Sequence, residues 1–390
     1  MRVLHVVPTY APAWRYGGPI RSVHALCRAL VQRGHEVHVY TTNMDGPGNL
    51  DVPVEVPVDR DGVKVWYFPA VVRSLNMSPV MGRHLRKTIK TFDIVHLHSI
   101  FLWPTLAAAR QCSRQGVPYI VAPRGMLVRD LFERKRTLIK WLWFYLCEKR
   151  TLQRAAAIHA TSQLEAEEAR KFPVGFQRFA IIPNGVDMPA DVEEGPAKAN
   201  GHESAPDRYI LFIGRINWKK GLDRLIRSLA WVRDDVNVVI AGNDEDGYGC
   251  EVRKLVAHLG FTQRVLFVGA VDGAEKEKWL RNAKVLALPS YSENFGNVIL
   301  EAMATRCPVV VTPEVGLAAV VEEARSGIVS DGEPARLADA FERILANPDL
   351  AADMGNRGQA VVRENFCWPA IAKQMEKLYQ ELRVLPALPQ

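Results

Sequence analysis

Short apolar runs alternate with helix-length stretches along this whole chain, and the alternation starts twice. Arg2–Pro8, Glu36–Tyr40, Val63–Phe68, Asp93–Leu97, Pro118–Ala122, Ala157–Ala160 and Phe179–Pro183 read as strands. Helical patterns intervene at Ile20–Arg33, Pro79–Lys90, Pro104–Arg110, Leu131–Arg154 and Ser162–Lys171. Strands that are apolar throughout belong to a parallel sheet covered on both faces. Residues 188–207 then turn polar and rich in Gly, Pro and Ala, as linkers are. The alternation restarts with strands at Tyr209–Ile213, Val236–Ala241, Arg264–Val268, Lys284–Leu288 and Pro308–Val311. Helical patterns there cover Lys220–Asp234, Cys250–Leu259, Ala274–Asn282, 334–346 and 348–363, with a last one at Pro369–Arg383. The expected fold is α/β, with two doubly wound Rossmann-like domains at 1–187 and 208–367. In such sheets ligands sit beyond the C-terminal strand ends, here expected to face a cleft between the domains.

Composition excludes several classes. Apolar residues make up 48% and charged residues 24% of 390, a globular balance rather than a disordered one. The six cysteines (27, 112, 147, 250, 307 and 367) form no C-x-x-C and no zinc-spaced pair, so reduced cytoplasmic thiols and no structural metal are expected. The first apolar run is too short for a signal peptide, and no run approaches the ~20 residues that span a bilayer. Charge is uneven. Residues 1–187 hold 26 Lys and Arg against 14 Asp and Glu, a balance of +12; residues 188–390 hold 24 against 29, or −5. A basic half suits an anionic membrane face or nucleic acid. Nucleic-acid binding would interleave aromatics along a basic groove, whereas here they cluster on one helical stretch, so it is not expected.

The second half carries the strongest motif. Strand Lys284–Leu288 runs through Pro289-Ser290-Tyr291-Ser292 into Glu293-Asn-Phe-Gly-Asn-Val-Ile-Leu-Glu301. Loop amides and a helix start there offer N–H donors and a positive dipole end, a seat for a diphosphate. Two carboxylates beside such a seat suit sugar and ribose hydroxyls; alone, they also read as a helix N-terminal Glu and a solvated one. Gly214-Arg215-Ile-Asn-Trp-Lys219-Lys220-Gly221 brings cations to the end of the domain's first strand. Arg offers a planar fork for phosphate oxygens and Lys a mobile charge. Cations at a helix start are unfavourable for the dipole, which argues for an anion between them.

In the first half, Gly17-Gly18-Pro19 follows the first strand, either as a plain turn or as a place where backbone approaches phosphate. Its spacing is not G-x-G-x-x-G. His96 and His98 end the fourth strand; at most one is expected to point at the cleft, and with no third ligand in sight no metal is expected. Arg124, in Ala122-Pro123-Arg124-Gly125-Met126, is expected beside His98. Lys135, Arg136, Lys140, Lys149 and Arg150 accompany Trp141, Trp143, Phe144 and Tyr145; Trp141, Phe144 and Tyr145 share a face. Such a helix either lies on a membrane surface or is a core helix with one solvated side.

Taken together, these pieces resemble the GT-B-fold retaining glycosyltransferases of family 4 over nearly the whole length. Glu293 to Glu301 matches that family's E-x7-E motif. Gly214-Arg215 through Lys220-Gly221 matches its diphosphate-binding Arg and Lys, Gly17-Gly18 its N-terminal glycine loop, and Ile182-Pro183-Asn184-Gly185-Val186-Asp187 the segment entering its linker. The resemblance implies that Glu301 holds the ribose of a nucleotide sugar, UDP- or GDP-linked. Glu293 with the amides of Asn294, Phe295 and Gly296 would hold the sugar. Arg215 and Lys220 would neutralise the diphosphate without a divalent ion or other cofactor. Backbone around Val271 would read the base, with Lys276 as a helper. His98 would line the acceptor side, and the last helix, 368–390, would cross back onto the first domain near Trp368. One departure stands out: many relatives carry His-Gly where this chain has Arg124-Gly125, and Arg favours an anionic acceptor or a leaving phosphate. The implied reaction is retaining hexosyl transfer to a glycan or lipid-linked oligosaccharide at the inner face of the cytoplasmic membrane. A 2-epimerase on the same fold and a non-catalytic nucleotide-sugar-binding protein are the alternatives.

Overall fold

The computed structural model describes residues 1–129, 141–189, 206–244 and 247–384. The chain divides into two compact units, Met1–Gly185 with the chain from Trp368 onward, and Val186–Cys367. The expected linker, 188–207, lies mostly outside the described residues, as does the first part of the expected 131–154 helix.

In the first unit the strands are β1 (Arg2–Val6), β2 (Glu36–Thr42), β3 (Met44–Asp45), β4 (Gly48–Asn49), β5 (Pro57–Arg60), β6 (Val63–Phe68), β7 (Ile94–His98), β8 (Tyr119–Ala122), β9 (Ala157–Ala160) and β10 (Phe179–Ile181). Eight of them form one sheet in the order β10-β9-β8-β7-β1-β2-β6-β5. Only β5 runs antiparallel, against β6. That edge strand was not expected, because Pro57–Arg60 is polar and half exposed. The central strands β7 and β8 are buried at every position, the two histidines of β7 included, which is why they read as largely apolar runs.

The last helix, Trp368–Arg383, belongs to this first unit although it follows the second in sequence. Trp368, Ile371, Ala372, Met375, Leu378, Tyr379 and Leu382 are buried, one stripe at three- and four-residue spacing. They share a core with Ile20, Val23, Leu26 and Leu30 of the Gly18–Gln32 helix and with Val3 and Val37 of β1 and β2. A Cβ on Gly185 would come within 2.6 Å of the Trp368 ring, so only glycine lets the chain pass there.

The second unit holds β11 (Tyr209–Ile213), β12 (Asn237–Ala241), β13 (Val265–Gly269), β14 (Val285–Leu288), β15 (Val309–Val311) and β16 (Gly327–Val329). All pair in parallel, in the order β13-β12-β11-β14-β15-β16. From β11 the chain winds outward through β12 and β13, then returns to the centre at β14 and winds the other way. The gap between β11 and β14 is therefore a topological switch point, where the following loops diverge and leave a crevice.

Candidate active site

At that switch point in the second unit, the loops after β11 and β14 touch backbone to backbone. Tyr291 N–H donates to the Lys219 carbonyl at 2.7 Å. Gly221 has φ +66°, and a Cβ there would lie 1.9 Å from the Pro289 carbonyl oxygen. The approach demands glycine for both conformation and space.

This closure brings Lys220 and Glu293 together: the ammonium donates to the Glu293 carboxylate, with both side chains 18% exposed. A third loop, after β15, fixes Glu293 from behind. Glu293 N–H donates to the Glu314 carbonyl at 3.1 Å, and the Glu293 carbonyl accepts from Gly316 N–H at 2.9 Å. Gly296, at φ +92°, turns the chain into the Asn297–Ala304 helix, whose start has no side-chain cap. Phe295 is buried in the unit's core, so its side chain cannot meet a ligand; Asn294 is half buried. On the helix, Glu301 pairs with Lys276 at 2.5 Å. Lys276 belongs to the Gly273–Asn282 helix after β13, and Val271, in the same connection, packs partly buried on the core. Arg215 is exposed just beyond β11. The arrangement gives each carboxylate a lysine, which avoids leaving half-buried charge uncompensated.

The first unit has its own switch point, between β1 and β7. Gly17 (φ 78°, ψ −145°) leads into the Gly18–Gln32 helix, whose start has no side-chain cap. A Cβ on Gly17 would meet nothing within 4 Å, so conformation rather than crowding asks for glycine. Gly18 is exposed.

The histidine expectation needs correction. His96 and His98 are two residues apart, so the pleat puts them on the same face, and their rings stack with centroids 4.2 Å apart. His98 is also buried, at 1% exposure, rather than lining a surface. The third ligand that sequence missed is His5, brought alongside His96 by the β1–β7 register. His5, His96 and His98 each place a nitrogen within 4.8 Å of the others. Their nitrogens have side-chain partners, except His5 Nε2, which is enclosed without one. Arg124 donates to His98 Nδ1 at 3.2 Å. His98 Nε2–H therefore donates to His5 Nδ1, at 2.9 Å. Tyr379 hydroxyl donates to His96 Nδ1 at 2.8 Å, His96 Nε2–H to His159 Nδ1 at 3.2 Å, and His159 Nε2–H to the Ile182 carbonyl at 2.8 Å. All four rings are thus neutral. Burial drives His5 and His159 down to about 3, and His96 and His98 well below the ordinary range. A metal ion here would sit close to the Arg124 guanidinium, which opposes it.

Arg124 itself stands at φ +55°, an uncommon backbone for a side-chain-bearing residue. It donates to Asn184 Oδ1 at 2.8 Å as well as to His98. Its Nε is enclosed without an acceptor, and burial lowers its pKa. The loop is held by Glu165, which sequence reasoning missed: Glu165 accepts from Gly125 N–H at 2.6 Å, Thr161 N–H at 2.7 Å and Thr161 Oγ1 at 2.8 Å. A second missed acid is Glu148, buried, which accepts from Phe101 N–H at 2.8 Å and Trp143 Nε1–H at 3.2 Å. Burial raises its pKa. Of the expected membrane-facing helix, Lys135, Arg136 and Lys140 lie outside the described residues. Phe144 is in the core, whereas Leu142, Tyr145 and Leu146 are 61%, 52% and 69% exposed.

Comparison with known proteins matches residues 17–185 to the glycosyl transferase 4-like domain and residues 197–361 to the glycosyl transferases group 1. A D-inositol 3-phosphate glycosyltransferase of Pseudarthrobacter chlorophenolicus is 31% identical, covering 95% of this chain and 91% of that protein. Among solved structures, the sucrose-phosphate synthase of Thermosynechococcus elongatus superposes with a TM-score of 0.74 at 22% identity, covering 98% of both chains. Anabaena HepE, solved in complex with UDP-glucose, gives 0.73 at 18% identity, covering 98% of this chain and 100% of that one.

Proposed function

This chain belongs to the GT-B-fold glycosyltransferases of family 4, and we propose that it moves a hexosyl unit from a nucleoside-diphosphate sugar to a glycan or lipid-linked oligosaccharide, with retention of anomeric configuration. The observation that carries the reading is the meeting of the Lys220 loop with the Glu293 loop at the second unit's switch point. Arg215, Lys220 and the uncapped start of the Asn297–Ala304 helix receive the diphosphate. Lys220 exchanges Glu293 for phosphate oxygens, which frees that carboxylate for sugar hydroxyls. Glu301 exchanges Lys276 for the ribose, and the backbone at Val271 meets the base.

The bond from the anomeric carbon to the diphosphate oxygen breaks, and one forms to the acceptor oxygen on the same face. The acceptor's proton passes to the leaving phosphate. The positive charge of Arg215 and Lys220 meets the charge developing on that leaving group, so no divalent ion is required. UDP-glucose is the first donor to test, because UDP and UDP-glucose occupy the Anabaena protein's structures. Arg124, half-buried with neutral partners, supports an acceptor that carries an anion.

The exposed Leu142, Tyr145 and Leu146, with Lys149 beside the Tyr145 ring, support peripheral contact with an anionic membrane and a role in surface polysaccharide synthesis. No helix among the described residues is long and apolar enough to cross one. The test is nucleoside diphosphate release from UDP- and GDP-sugars with and without lipid extract, with the product's anomeric configuration read by NMR. Extract-dependent release with retention supports the reading. Acceptor-independent turnover would favour an epimerase, and a covalent sugar–enzyme adduct in mass spectra would end the front-face mechanism.

A further inference from the structure

In the first unit, the chain between β1 and the Gly18–Gln32 helix carries one feature that the donor chemistry does not use. Trp14 is 41% exposed there. From its position and the way it is held, we propose that Trp14 is a stacking platform for a pyranose ring of the glycan acceptor. The proposal rests on the glycosyl-transfer reading and names a subsite within it.

The indole is built in, not merely left outside. Its backbone is fixed by a tight turn: Trp14 N–H donates to the Pro12 carbonyl at 2.7 Å, and its own carbonyl accepts from Gly17 N–H at 3.0 Å. His24 packs edge-on at 6.0 Å between centroids. The Arg21 guanidinium lies over the ring at 5.4 Å. His24 is itself immobilised at both nitrogens. A carboxylate only accepts, so His24 Nε2–H donates to Asp61 Oδ2 at 2.9 Å, and Nδ1 then accepts from the Tyr10 hydroxyl at 2.9 Å. Tyr10 is fully buried. The chain of hydrogen bonds from the exposed Asp61 through His24 to the buried Tyr10 orients the imidazole against which the indole packs.

Position and surroundings select the ligand. The turn lies beyond the C-terminal end of β1, one of the two switch-point strands, where ligands of such sheets collect. A pyranose presents an apolar C–H face and a rim of hydroxyls. An indole ringed by charged and hydrogen-bonding groups is complementary to that shape. Arg15, paired with Asp45 at 2.8 Å, stands next to Trp14. Arg73 pins the same β3–β4 hairpin through the carbonyls of Gly46 and Gly48 at 2.7 and 2.6 Å. A protein partner would instead want a contiguous apolar patch, and these neighbours are charged.

The test uses the full chain saturated with UDP, with maltotriose, cellotriose and mannotriose as probes in saturation-transfer NMR. At least one trisaccharide is expected to receive saturation on its ring protons. Trp14→Leu, which keeps apolar bulk without the ring, should weaken that binding about tenfold, while Trp14→Phe keeps most of it. His24→Ala, which removes that imidazole, should weaken it by a smaller factor. UDP affinity measured by calorimetry should stay within twofold in all three. Equal trisaccharide binding by Trp14→Leu overturns the proposal, as does a wild-type protein that binds UDP but none of the sugars. Failure to bind UDP at all would strike the transfer reading instead, so the two failures are distinguishable.

Discussion

Gly221→Ala places one methyl group between the two loops that assemble the candidate donor site. Its Cβ would lie 1.9 Å from the Pro289 carbonyl oxygen. Ordinary contact needs about 3.4 Å, so the loops must part by roughly 1.5 Å. That moves Lys220 away from Glu293 and from any diphosphate between them. A misplacement of about 1 Å at a reacting centre costs on the order of 100-fold. The variant also carries the strain of a left-handed backbone at φ +66°, about 1–2 kcal/mol. Gly260→Ala separates the two effects, because Gly260 has φ +76° in the same unit with nothing within 4 Å of a Cβ. Both variants should melt a few degrees below wild type, at about 2–4 °C per kcal/mol for a unit of this size. Only Gly221→Ala should lose kcat/KM, by at least about 100-fold, in a UDP-release assay with a circular-dichroism spectrum like wild type's. A Gly221→Ala enzyme within threefold of wild type would refute the reasoning, and so would an equal loss in Gly260→Ala.

Three further outcomes are expected. Lys220→Ala and Glu301→Ala should each lower kcat/KM for the nucleotide sugar by about 100-fold or more while circular dichroism stays native; unchanged turnover in either removes that residue from the site. Stability should fall on mild acidification. His5 and His159 titrate near 3 in the folded chain and near 6.5 when unfolded, so only the unfolded chain takes up their protons between those values. Stability is then full above about pH 6.5 and declines below it, on the order of 3 kcal/mol per pH unit for the pair; urea midpoints that coincide at pH 7.5 and 5.5 would contradict the buried relay. Leu378→Ala, in the buried stripe of the last helix, should cost about 2–5 kcal/mol by urea denaturation, and a cost below 1 would mean that helix is not docked.

The central strands were legible as segments because they are buried on both faces and mostly apolar. The site loops were legible because Arg215, Lys220, Glu293 and Glu301 sit at strand ends and on the helix that follows. What sequence could not supply was pairing across the sheet. His5 reads as one polar residue in an apolar strand until β1 lies beside β7. Reading His96 and His98 as opposed was an error of period, since residues two apart share a face. Glu148 and Glu165 look like solvated helix acids, yet both are buried to satisfy loop amides 47 and 40 residues away in sequence. Gly221 reads as a turn glycine, and only the fold reveals the Pro289 carbonyl against it. The resemblance puts Lys276 near the base; its pairing with Glu301 depends on how two helices are set after different strands.

Calorimetric titration of UDP-, GDP-, ADP- and dTDP-linked sugars into the wild type, Arg215→Ala and Lys220→Ala proteins tests most directly whether the second unit's switch point grips an anionic donor. One nucleotide series should bind the wild type with a Kd in the micromolar range, and each substitution should weaken it at least tenfold, about 1.4 kcal/mol. Absence of heat with every nucleotide sugar, or wild-type affinity in both variants, would contradict it.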